Sequence, residues 1–565
     1  MPRIRLPYVL IAVSGAITMQ AATAATFSVT NLGDSGAGSF RAQIAAANGA
    51  GGPDTITFDV TGTINIDTPI DITDDLVIDG PGISSLTLNS RVTANFDALF
   101  LDSGARSDLT LEIRDLSMVQ DVASTKRLIR ADNQGSITVA NAVLRGNGVE
   151  ILNSSGGAIA AEGTDVTLQD TEISNFNTTY RGAGVLVRAT GSESADLVAD
   201  NCLFENNVVS GGSGDTTAGR NGGAIAAEQT APTASADITV RDSTFIGNSA
   251  PVYGGAIYSN DDITVDGGYF FQNSAPDGSG AAIYTETTAG LTTLSNSVLI
   301  GNIAADTGGG VCAVVRDVII TNTTFSANEA DRGGALFHSI IGTVDIVNST
   351  FSGNAADITG GAMHIDPTGP GATDLNLLNV TITGNTAASG GGIVNDLDYT
   401  TITAVNTVIA GNSAGTGPEV AGAARASYSH IGDSVGDTTG ATITELTPGS
   451  NIFNTGPSLG PLADNGGQHA GRNGATPMRT HAVLINSVLI GAGDITASFS
   501  PLALPATDQR GAGFERIRNG GLEIGAVEYS PGAGSDGGGG LDPASILLLA
   551  LCAGLACLRG TKIRE

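Results

Sequence analysis

A repeat of about 26 residues constrains the fold of this chain more than any other sequence feature. A Phe is followed three positions later by Asn at five places, and a Gly-Gly-Ala phrase comes next. The strict pairs are Phe204 and Asn207, Phe245 and Asn248, Phe270 and Asn273, Phe325 and Asn328, and Phe351 and Asn354. Aliphatic residues replace the Phe before Asn302, Asn385 and Asn412. A fixed spacing of this kind indicates one structural unit per repeat.

Each repeat contains three short runs of residues that favour β-strands. In one unit these runs are 262–265, 268–271 and 281–284, and no unit has an apolar pattern of helical period. Three strands per coil, stacked on the next coil, bury one continuous apolar column. We therefore predict an all-β chain folded as a single-stranded parallel β-helix with three short strands per coil. A leucine-rich repeat lacks its Leu spacing here, and a β-propeller needs blades of about 40 residues.

The recurring Asn and Gly-Gly residues predict the corners of each coil. Asn tolerates a left-handed backbone, and in a stacked array its amide also reaches the same Asn one coil away. Gly-Gly provides the positive φ that the next corner requires. The predicted structural Asn ladder consists of Asn207, Asn248, Asn273, Asn302, Asn328, Asn354, Asn385 and Asn412.

The segments outside the repeat predict the order of domains. Residues 25–110 are expected to form an N-terminal cap and the first coils, with a short helix that Ser39 caps and that presents Phe40 and Ile44 on one face. Residues 111–415 hold the parallel β-helix repeats. The period is lost from about Gly415, so residues 416–530 are interpreted as a C-terminal cap or appended module.

Both ends of the chain are typical of targeting segments. Residues 1–24 combine a basic start, an apolar stretch and a small-residue site, which predicts a secretory signal peptide cleaved after Ala24. Residues 531–565 combine a Gly-rich linker, an apolar stretch at 544–558 and a basic tip. This tail predicts a membrane anchor or a sorting signal, and it is the only segment expected to contact a membrane.

The charge balance is strongly acidic, with 25 basic and 56 acidic residues and a net charge of −31. Nucleic acid is excluded as a partner because its binding requires a basic surface. No cofactor and no metal site are predicted; an acidic surface suits loose Ca²⁺ binding, but no Ca²⁺-binding motif occurs. Cys202 and Cys312 lie about four repeats apart, too far for a disulfide, and are expected to be free buried thiols.

Candidate catalytic residues are few. The Asp pairs at 74–75 and 261–262 are expected to lie in turns. His338 and His364 are one repeat apart but occupy adjacent strand positions, so they are expected to face opposite sides. The chain is therefore predicted not to be an enzyme. The alternative is a polysaccharide-active enzyme, either a pectate-lyase-like lyase or a glycoside hydrolase, which requires a groove where carboxylates and a basic group converge.

One column of residues is the predicted ligand-binding feature. The fourth residue after each Gly-Gly start is Ala226, Tyr258, Tyr284, Cys312, Phe337 and His364 in successive repeats. If the residue before each of them points inward, these side chains point outward. Tyr258, Tyr284 and Phe337 then form an exposed aromatic column on which a sugar stacks. In the alternative, the register is reversed or the column packs against a loop.

The alternating Phe-x-x-Asn and Gly-Gly-Ala-Ile motifs, spread over residues 140–415, resemble the repeats of polymorphic outer-membrane proteins, which are best known from chlamydial autotransporter adhesins. The resemblance implies a surface passenger made of right-handed β-helix, often with an adhesive role. The functional hypothesis is a secreted, surface-displayed β-helix that acts as a non-catalytic adhesion, surface-interaction or structural scaffold. Its expected partner is a surface glycan or a protein ligand.

Residues 455–530 resemble a second pattern, the choice-of-anchor Q region of bacterial β-helix proteins. The matching phrases start at Leu459 (LGPLADNGG), Thr480 (THA), Thr507 (TDQRG) and Ile524 (IGAVE). The tail at 531–565 resembles the GlyGly-type C-terminal sorting signals of Gram-negative bacteria. These resemblances imply processing by signal peptidase and a rhomboid-like protease, and display at the cell surface or outer membrane of a Gram-negative bacterium.

Overall fold

The computed structural model describes residues 24–530, except 94–96, 102–103, 105–106, 122–125, 153, 212–218, 368–372, 396–399, 433–440, 500–501 and 519. It is nearly all β, with parallel strands stacked in about fourteen turns. The predicted parallel β-helix is therefore confirmed. The predicted signal peptide, up to residue 23, and the predicted sorting tail at 531–565 lie outside the described residues.

Each turn places its three predicted runs on strands. In one turn these strands are Ile257–Ser259, Ile263–Asp266 and Tyr269–Phe271, and a fourth strand, Ser274–Ala275, lies before the next Gly-Gly corner. The first two strands of every turn join the same sheet, which we call the long sheet, and the third forms the second sheet. Alternate residues point into the coil because successive side chains of a strand face opposite sides.

The long sheet contains 26 strands of the described chain, and its core pairings are parallel and in register. Its strands are Thr26–Val29, Asp54–Phe58, Ile70–Ile72, Leu76–Asp79, Leu99–Leu101, Thr110–Arg114, Ile129–Asp132, Ser136–Ala140, Ile159–Glu162, Asp165–Gln169, Val185–Ala189, Leu197–Asp200, Ile225–Gln229, Ile238–Arg241, Ile257–Ser259, Ile263–Asp266, Ile283–Ser295, Val311–Thr321, Leu336–His338, Thr343–Val347, Met363–Ile365, Thr373–Leu378, Ile393–Asn395, Thr400–Val405, Val420–Ser427 and Ala441–Glu445.

The second sheet takes one strand from each turn and carries the repeated Phe residues into the core. Phe204 and Phe245 stack with ring centroids 4.7 Å apart, as do Phe245 and Phe270. Its strands are Gly62–Ile66, Leu86–Ser90, Ser117–Gln120, Val143–Arg145, Glu172–Ser174, Leu203–Glu205, Thr244–Ile246, Tyr269–Phe271, Val298–Ile300, Thr324–Ser326, Thr350–Ser352, Thr381–Thr383, Val408–Ile409, His430–Ile431 and Ile452–Phe453.

Two shorter parallel ladders close the third side of the coil. One consists of Glu150–Ile151, Asn177–Thr178 and Val208–Val209, and the other of Ser274–Ala275, Ile303–Ala304, Glu329–Arg332 and Ala355–Thr359. The Gly-Gly corner follows. Gly254 has φ +64°, and a Cβ on Gly255 would lie 2.4 Å from the carbonyl oxygen of Ala281 in the next turn. The corner therefore needs Gly twice, for conformation and for close stacking.

The eight ladder Asn residues are all buried and are linked from turn to turn. Asn302 illustrates the pattern: its backbone N donates to Asn328 Oδ1 at 3.1 Å, its Nδ2 donates to the same oxygen at 2.9 Å, and its Nδ2 also donates to Phe270 O at 3.1 Å. The ladder ends at Asn412, whose Nδ2 donates to the buried carboxylate of Glu419 at 2.5 Å. Glu419 thus replaces the Asn of a further turn as acceptor.

The N-terminal end of the solenoid is closed by the helix Phe40–Ala47. The Ser39 hydroxyl caps it by accepting from Ala42 N at 3.2 Å, and Phe40 and Ile44 are buried in the core cluster that runs through the coils. The predicted helical cap is therefore confirmed. No helix within the described ranges is long and apolar enough to span a membrane.

Parallel stacking continues beyond residue 415, where the sequence period ends. Val420–Ser427, His430–Ile431 and Ile452–Phe453 still pair with the preceding turns. The signature disappears first because another residue type takes over its role: the Glu419 carboxylate accepts from Asn412 where the ladder ends. The described solenoid therefore extends to about Phe453.

Residues 455–530 then turn back along the second sheet, and we call them the return segment. Arg472 N donates to Thr244 Oγ1 at 2.8 Å, Gln509 Nε2 to Thr324 Oγ1 at 2.8 Å, and Ala526 N to Thr381 Oγ1 at 3.0 Å. Its own elements are the antiparallel pairs Leu459–Ala463 with Thr480–Val483, His469–Ala470 with Thr476–Pro477, and Ser498–Phe499 with Leu502–Ala503, and the 3-10 turn Arg472–Gly474.

Candidate functional site

The predicted outward column exists, and its register is as expected. Tyr258 pairs with Tyr284, Tyr284 with Cys312 and Phe337 with His364 on the long sheet. These side chains form a cluster of their own, separate from the core inside the coil. The expectation that the column is exposed is wrong, because Tyr258 and Tyr284 are each only 5% exposed to solvent and Phe337 is 8% exposed.

The column is buried because its members cover one another. Tyr253, at the preceding corner, stacks on Tyr284 with ring centroids 4.2 Å apart, and Tyr258 stacks on Tyr284 at 6.0 Å. The Tyr258 hydroxyl donates to Glu286 Oε1 at 2.6 Å. Burial and the nearby Glu286 carboxylate raise the pKa of Tyr258. Little ring face is left for a sugar, so ligand binding by Tyr258, Tyr284 and Phe337 stays a prediction.

A second outward column lies two residues further along the same strands and carries charge. The sixth residue after each Gly-Gly start is Glu162, Arg188, Glu228 and, two turns later, Glu286. Arg188 lies between carboxylates of two turns, with Nε 3.0 Å from Glu228 Oε2 and Nη1 3.3 Å from Glu162 Oε1. Arg181 forms an ion pair with the other oxygen of Glu228. Charged groups from three successive turns therefore meet at one place.

A cavity of about 270 Å³ opens at this place. Tyr180, Arg181, Arg188 and Glu162 line it, together with Arg127 of an earlier turn. The side chain of Glu228 is 11% exposed, whereas that of Glu162 is 37% exposed. Glu162 is thus the carboxylate that solvent or a ligand reaches most easily.

An adjoining cavity of about 420 Å³ lies towards the N-terminus. It is lined by Lys126, Arg127 and Arg130, with Asp97, Ser154 and the apolar residues Ile151 and Leu152. Arg127 lines both cavities, and we call the pair of cavities the arginine groove. Burial lowers the pKa of Arg127 and raises the pKa of Asp97. The two side chains are 3.5 Å apart, and the charge of each partly offsets the effect of burial on the pKa of the other.

The arginine groove combines cations, carboxylates and an aromatic ring. Arginine binds carboxylates and hydroxyls in a fixed, planar geometry, and the half-buried Tyr180 ring offers an apolar surface with a polar tip. Paired carboxylates next to a cation also satisfy the side-chain requirements of acid–base chemistry on a sugar. Within the described ranges, no group of three or more His, Cys, Asp or Glu side chains is arranged to hold a metal ion.

The other predicted candidates lie elsewhere. His338 pairs in register with Ile365 and points into the coil, whereas His364 lies on the outward column, so the two do face opposite sides. Asp261 Oδ2 accepts from Gln229 Nε2 and Ala236 N, which fixes a turn. Cys202 and Cys312 are free and buried, and burial raises the pKa of each thiol to about 12.

Another cavity, of about 630 Å³, lies within the return segment. Ile490, Glu515, Arg518, Glu523 and Tyr529 are among its lining residues. It is larger than either cavity of the arginine groove, but it does not lie on the outward face of the long sheet. We therefore place the candidate site in the arginine groove.

The predicted column consists of the fourth residue after each Gly-Gly start, and this position does not include the charged residues of the arginine groove. Counting to the sixth gives Glu162, Arg188 and Glu228 in three successive repeats, a periodic charge signal that was available in the sequence. Arg181 directly precedes a Gly-Gly start and belongs to the same signal. Lys126 and Arg127 lie before the first clear repeat, so no periodic count reaches them.

Comparison with protein families gives one short match. Residues 242–260 match the Chlamydia polymorphic membrane protein repeat. The match is shorter than one repeat of the solenoid and agrees with the motif resemblance in the sequence. No curated protein matches the sequence significantly.

Solved structures similar to this chain are β-solenoid proteins of several kinds. Tailspike protein 3 of bacteriophage CBA120 has TM-score 0.38 and 12% identity over 73% of this chain, which spans 57% of the tailspike. The catalytic domain of a GH87 alpha-1,3-glucanase, solved with tetrasaccharides, has TM-score 0.34 and 13% identity, covering 75% and 69% of the two chains. A mannuronic acid specific polysaccharide family 6 lyase from human gut microbiota has TM-score 0.36 and 9% identity, covering 75% and 92%.

The prediction that the chain is not an enzyme is contradicted by these comparisons. The similar structures include a glucanase and a polysaccharide lyase, at 13% and 9% identity, and the fold is consistent with enzymes. A physical reason is that stacked turns bring together carboxylates that are distant in the sequence. The sequence offers adjacent Asp pairs as candidates, whereas the structure brings Glu162, Arg188 and Glu228 together from turns that are 26 and 40 residues apart.

Proposed function

We propose that this protein is a surface-displayed β-solenoid that binds a glycan in the arginine groove and so mediates adhesion or another surface interaction. The observation that carries the proposal is the convergence of Arg181, Arg188, Glu162 and Glu228 beside Tyr180 on one outward face. Sugars are recognised by planar networks of charged and amide groups next to an aromatic ring. The rigid stacking of parallel turns holds these groups in place without a ligand.

The proposed surface location rests on the repeat match at residues 242–260 and on the two ends of the chain. Signal peptidase would remove residues 1–24, and a rhomboid-like protease would process the tail at 531–565 after export by a Gram-negative bacterium. The region at 455–530 would act as the choice-of-anchor Q module before this tail. A protein ligand on the same face is the competing partner.

A glycan array with the purified full chain tests the proposed binding. Arg188→Gln retains one amide donor but breaks the contacts to Glu162 and Glu228, so we expect glycan binding to weaken roughly tenfold or more. The matched control is Arg316→Gln, because Arg316 is 60% exposed and pairs only with its neighbour Asp317 in the described chain. Equal binding by both variants and the parent chain, or no glycan binding at all, would contradict the proposal.

Polysaccharide cleavage is the second candidate function, and one observation favours it. Glu162 and Glu228 approach the same guanidinium from opposite sides, and Tyr258, one turn further on, donates to Glu286 of the turn after that. Two carboxylates around one sugar are the usual requirement for glycoside hydrolysis. Reducing-end release and new unsaturated products are therefore measured on every glycan that binds. Turnover that is lost in Glu162→Gln would assign the groove to catalysis.

A further inference from the structure

The arginine groove concentrates positive charge in a chain that is otherwise strongly acidic. It contains five of the 25 basic residues, namely Lys126, Arg127, Arg130, Arg181 and Arg188. Among the described residues, four acidic side chains pair with them: Asp97, Asp132, Glu162 and Glu228. A ligand with negative charge is repelled by most of this protein and attracted here.

Two cationic groups in the groove have donors without a partner within the described chain. Lys126 is the one Lys of the described residues, and its ammonium group forms no ion pair there. Arg127 Nε donates to Ser154 Oγ at 2.8 Å, and its Nη1 donates to Asp97 Oδ2 at 3.5 Å. Its second terminal nitrogen, Nη2, is left for a ligand. Arg127 lines both cavities, so this donor lies where they meet.

The spacing of the cations matches a linear chain of repeating anionic groups. Arg130 and Arg188 stand on long-sheet strands separated by one intervening strand, Ile159–Glu162, so they lie about 10 Å apart along the solenoid axis. This separation is comparable with two residues of an extended polysaccharide. The apolar side chains of Ile151 and Leu152 line the same cavity and offer contacts for sugar rings.

We infer that the ligand of the arginine groove is a polyuronate, a glycan with a carboxylate on successive sugars, bound across Lys126, Arg127 and Arg130 and reaching Arg188. This inference rests on the proposed glycan-binding function and names its substrate class. The carboxylates would accept charge-assisted hydrogen bonds from the arginines. Binding would weaken as ionic strength rises, because part of the attraction comes from partly exposed charges.

The test compares polyuronates with their neutral esters, which keep the same backbone. Polygalacturonate and alginate, each with its fully esterified form, are titrated against the full chain at low and high NaCl, and polyglutamate serves as a polyanion without sugar. We expect binding to at least one polyuronate, at least tenfold weaker binding to its ester and to polyglutamate, and weaker binding at high salt. Lys126→Gln should weaken polyuronate binding several-fold, whereas Arg145→Gln, a matched neutralisation at an exposed site on the second sheet, should not.

The outcomes separate this inference from the proposal on which it depends. Equal affinity for a polyuronate and its ester overturns the inference and leaves glycan binding intact. Equal affinity for a polyuronate and for polyglutamate would show that the groove binds any polyanion, and would overturn the inference that it recognises the sugar. Neutral glycans that bind through Arg188 while polyuronates do not would also overturn the inference. Binding to no glycan at all overturns the proposed function together with the inference.

Discussion

At the scale of single residues, burial of neutral histidine links the stability of this protein to pH. His338 points into the coil, its Nε2 lies 2.9 Å from Val315 O, and burial lowers its pKa to about 4. The unfolded chain binds this proton near pH 6.5 and the folded chain near pH 4. The unfolded state therefore holds more protons in this interval, and the free energy of unfolding falls as pH decreases from 6.5 to 4.

The variant His338→Gln isolates this contribution. Gln retains a donor for Val315 O but does not titrate, so the difference between variant and parent unfolding free energy should change by about 1.4 kcal/mol per pH unit between pH 6.5 and 4. Denaturant unfolding at several pH values measures it. The difference between variant and parent is used because Asp237 changes the unfolding free energy in the opposite direction over the same pH range. Burial and neighbouring Asp residues raise the pKa of Asp237 to about 6. A pH-independent difference would contradict the prediction.

Single residues also show what sequence can predict about a solenoid and what it cannot. Asn302 contacts Asn328 of the next turn, and Gly255 packs against Gly223 of the preceding turn. Because both contacts join equivalent residues of successive repeats, the repeat alone predicts their place at the corners. Arg188 depends on the register of an outward face, where no packing rule selects the residue. Its partners Glu162 and Glu228 become visible only when the turns are stacked. Burial of Tyr258 was missed because it depends on Tyr284 and Glu286 in the next turn.

At the scale of elements, the Asn ladder makes each corner depend on the corner of the next turn. Asn328 Oδ1 accepts from both the backbone N and the Nδ2 of Asn302, and Asn328 Nδ2 donates to Leu299 O at 3.0 Å. Replacement by Ala leaves these buried groups without partners, at a cost of about 1–3 kcal/mol for each. We expect Asn328→Ala to reduce the free energy of unfolding by several kcal/mol.

Denaturant unfolding followed by circular dichroism measures this loss. The matched control is Asn376→Ala, because Asn376 is half-buried on the outward side of a long-sheet strand and its Nδ2 donates to Asp345 at 2.8 Å. The control should lose less than Asn328→Ala, because it breaks one hydrogen bond, to the Asp345 carboxylate, rather than several. Similar losses in both variants would mean that the ladder contributes no more than an ordinary outward hydrogen bond.

At the scale of the whole molecule, a buried ionic network fastens the return segment to the solenoid. Arg510 pairs with Asp508 at 2.5 Å, Arg516 pairs with Glu528 at 2.6 Å, and Arg516 Nη2 donates to Asn348 Oδ1 of the solenoid at 2.6 Å. Asp508 and Arg510 belong to the TDQRG phrase and Glu528 ends the IGAVE phrase, so the motifs supply the network. The contact of Arg516 with Asn348 spans 168 residues, which is why sequence spacing did not predict this docking.

Removal of one buried ion leaves its partner uncompensated, at a cost of about 3–5 kcal/mol. Burial lowers the pKa of Arg516 to about 10, so this arginine is still charged at neutral pH. We expect Arg516→Ala to release the return segment while the coils stay folded, because stacked turns contribute to stability nearly independently of it. Hydrogen exchange should then rise in residues 455–530 and in the strands Thr324–Ser326 and Thr350–Ser352 beneath them.

The matched control for this release is Arg518→Ala, two residues away and exposed. It should leave hydrogen exchange unchanged. Glycan binding should persist in both variants, because the arginine groove lies on the long sheet and the return segment covers the second sheet. If Arg516→Ala instead unfolds the coils and the return segment in one transition, the segment is part of the same cooperative unit. In that case the second sheet depends on its cover for stability, and a solenoid that ends near Phe453 would not fold alone.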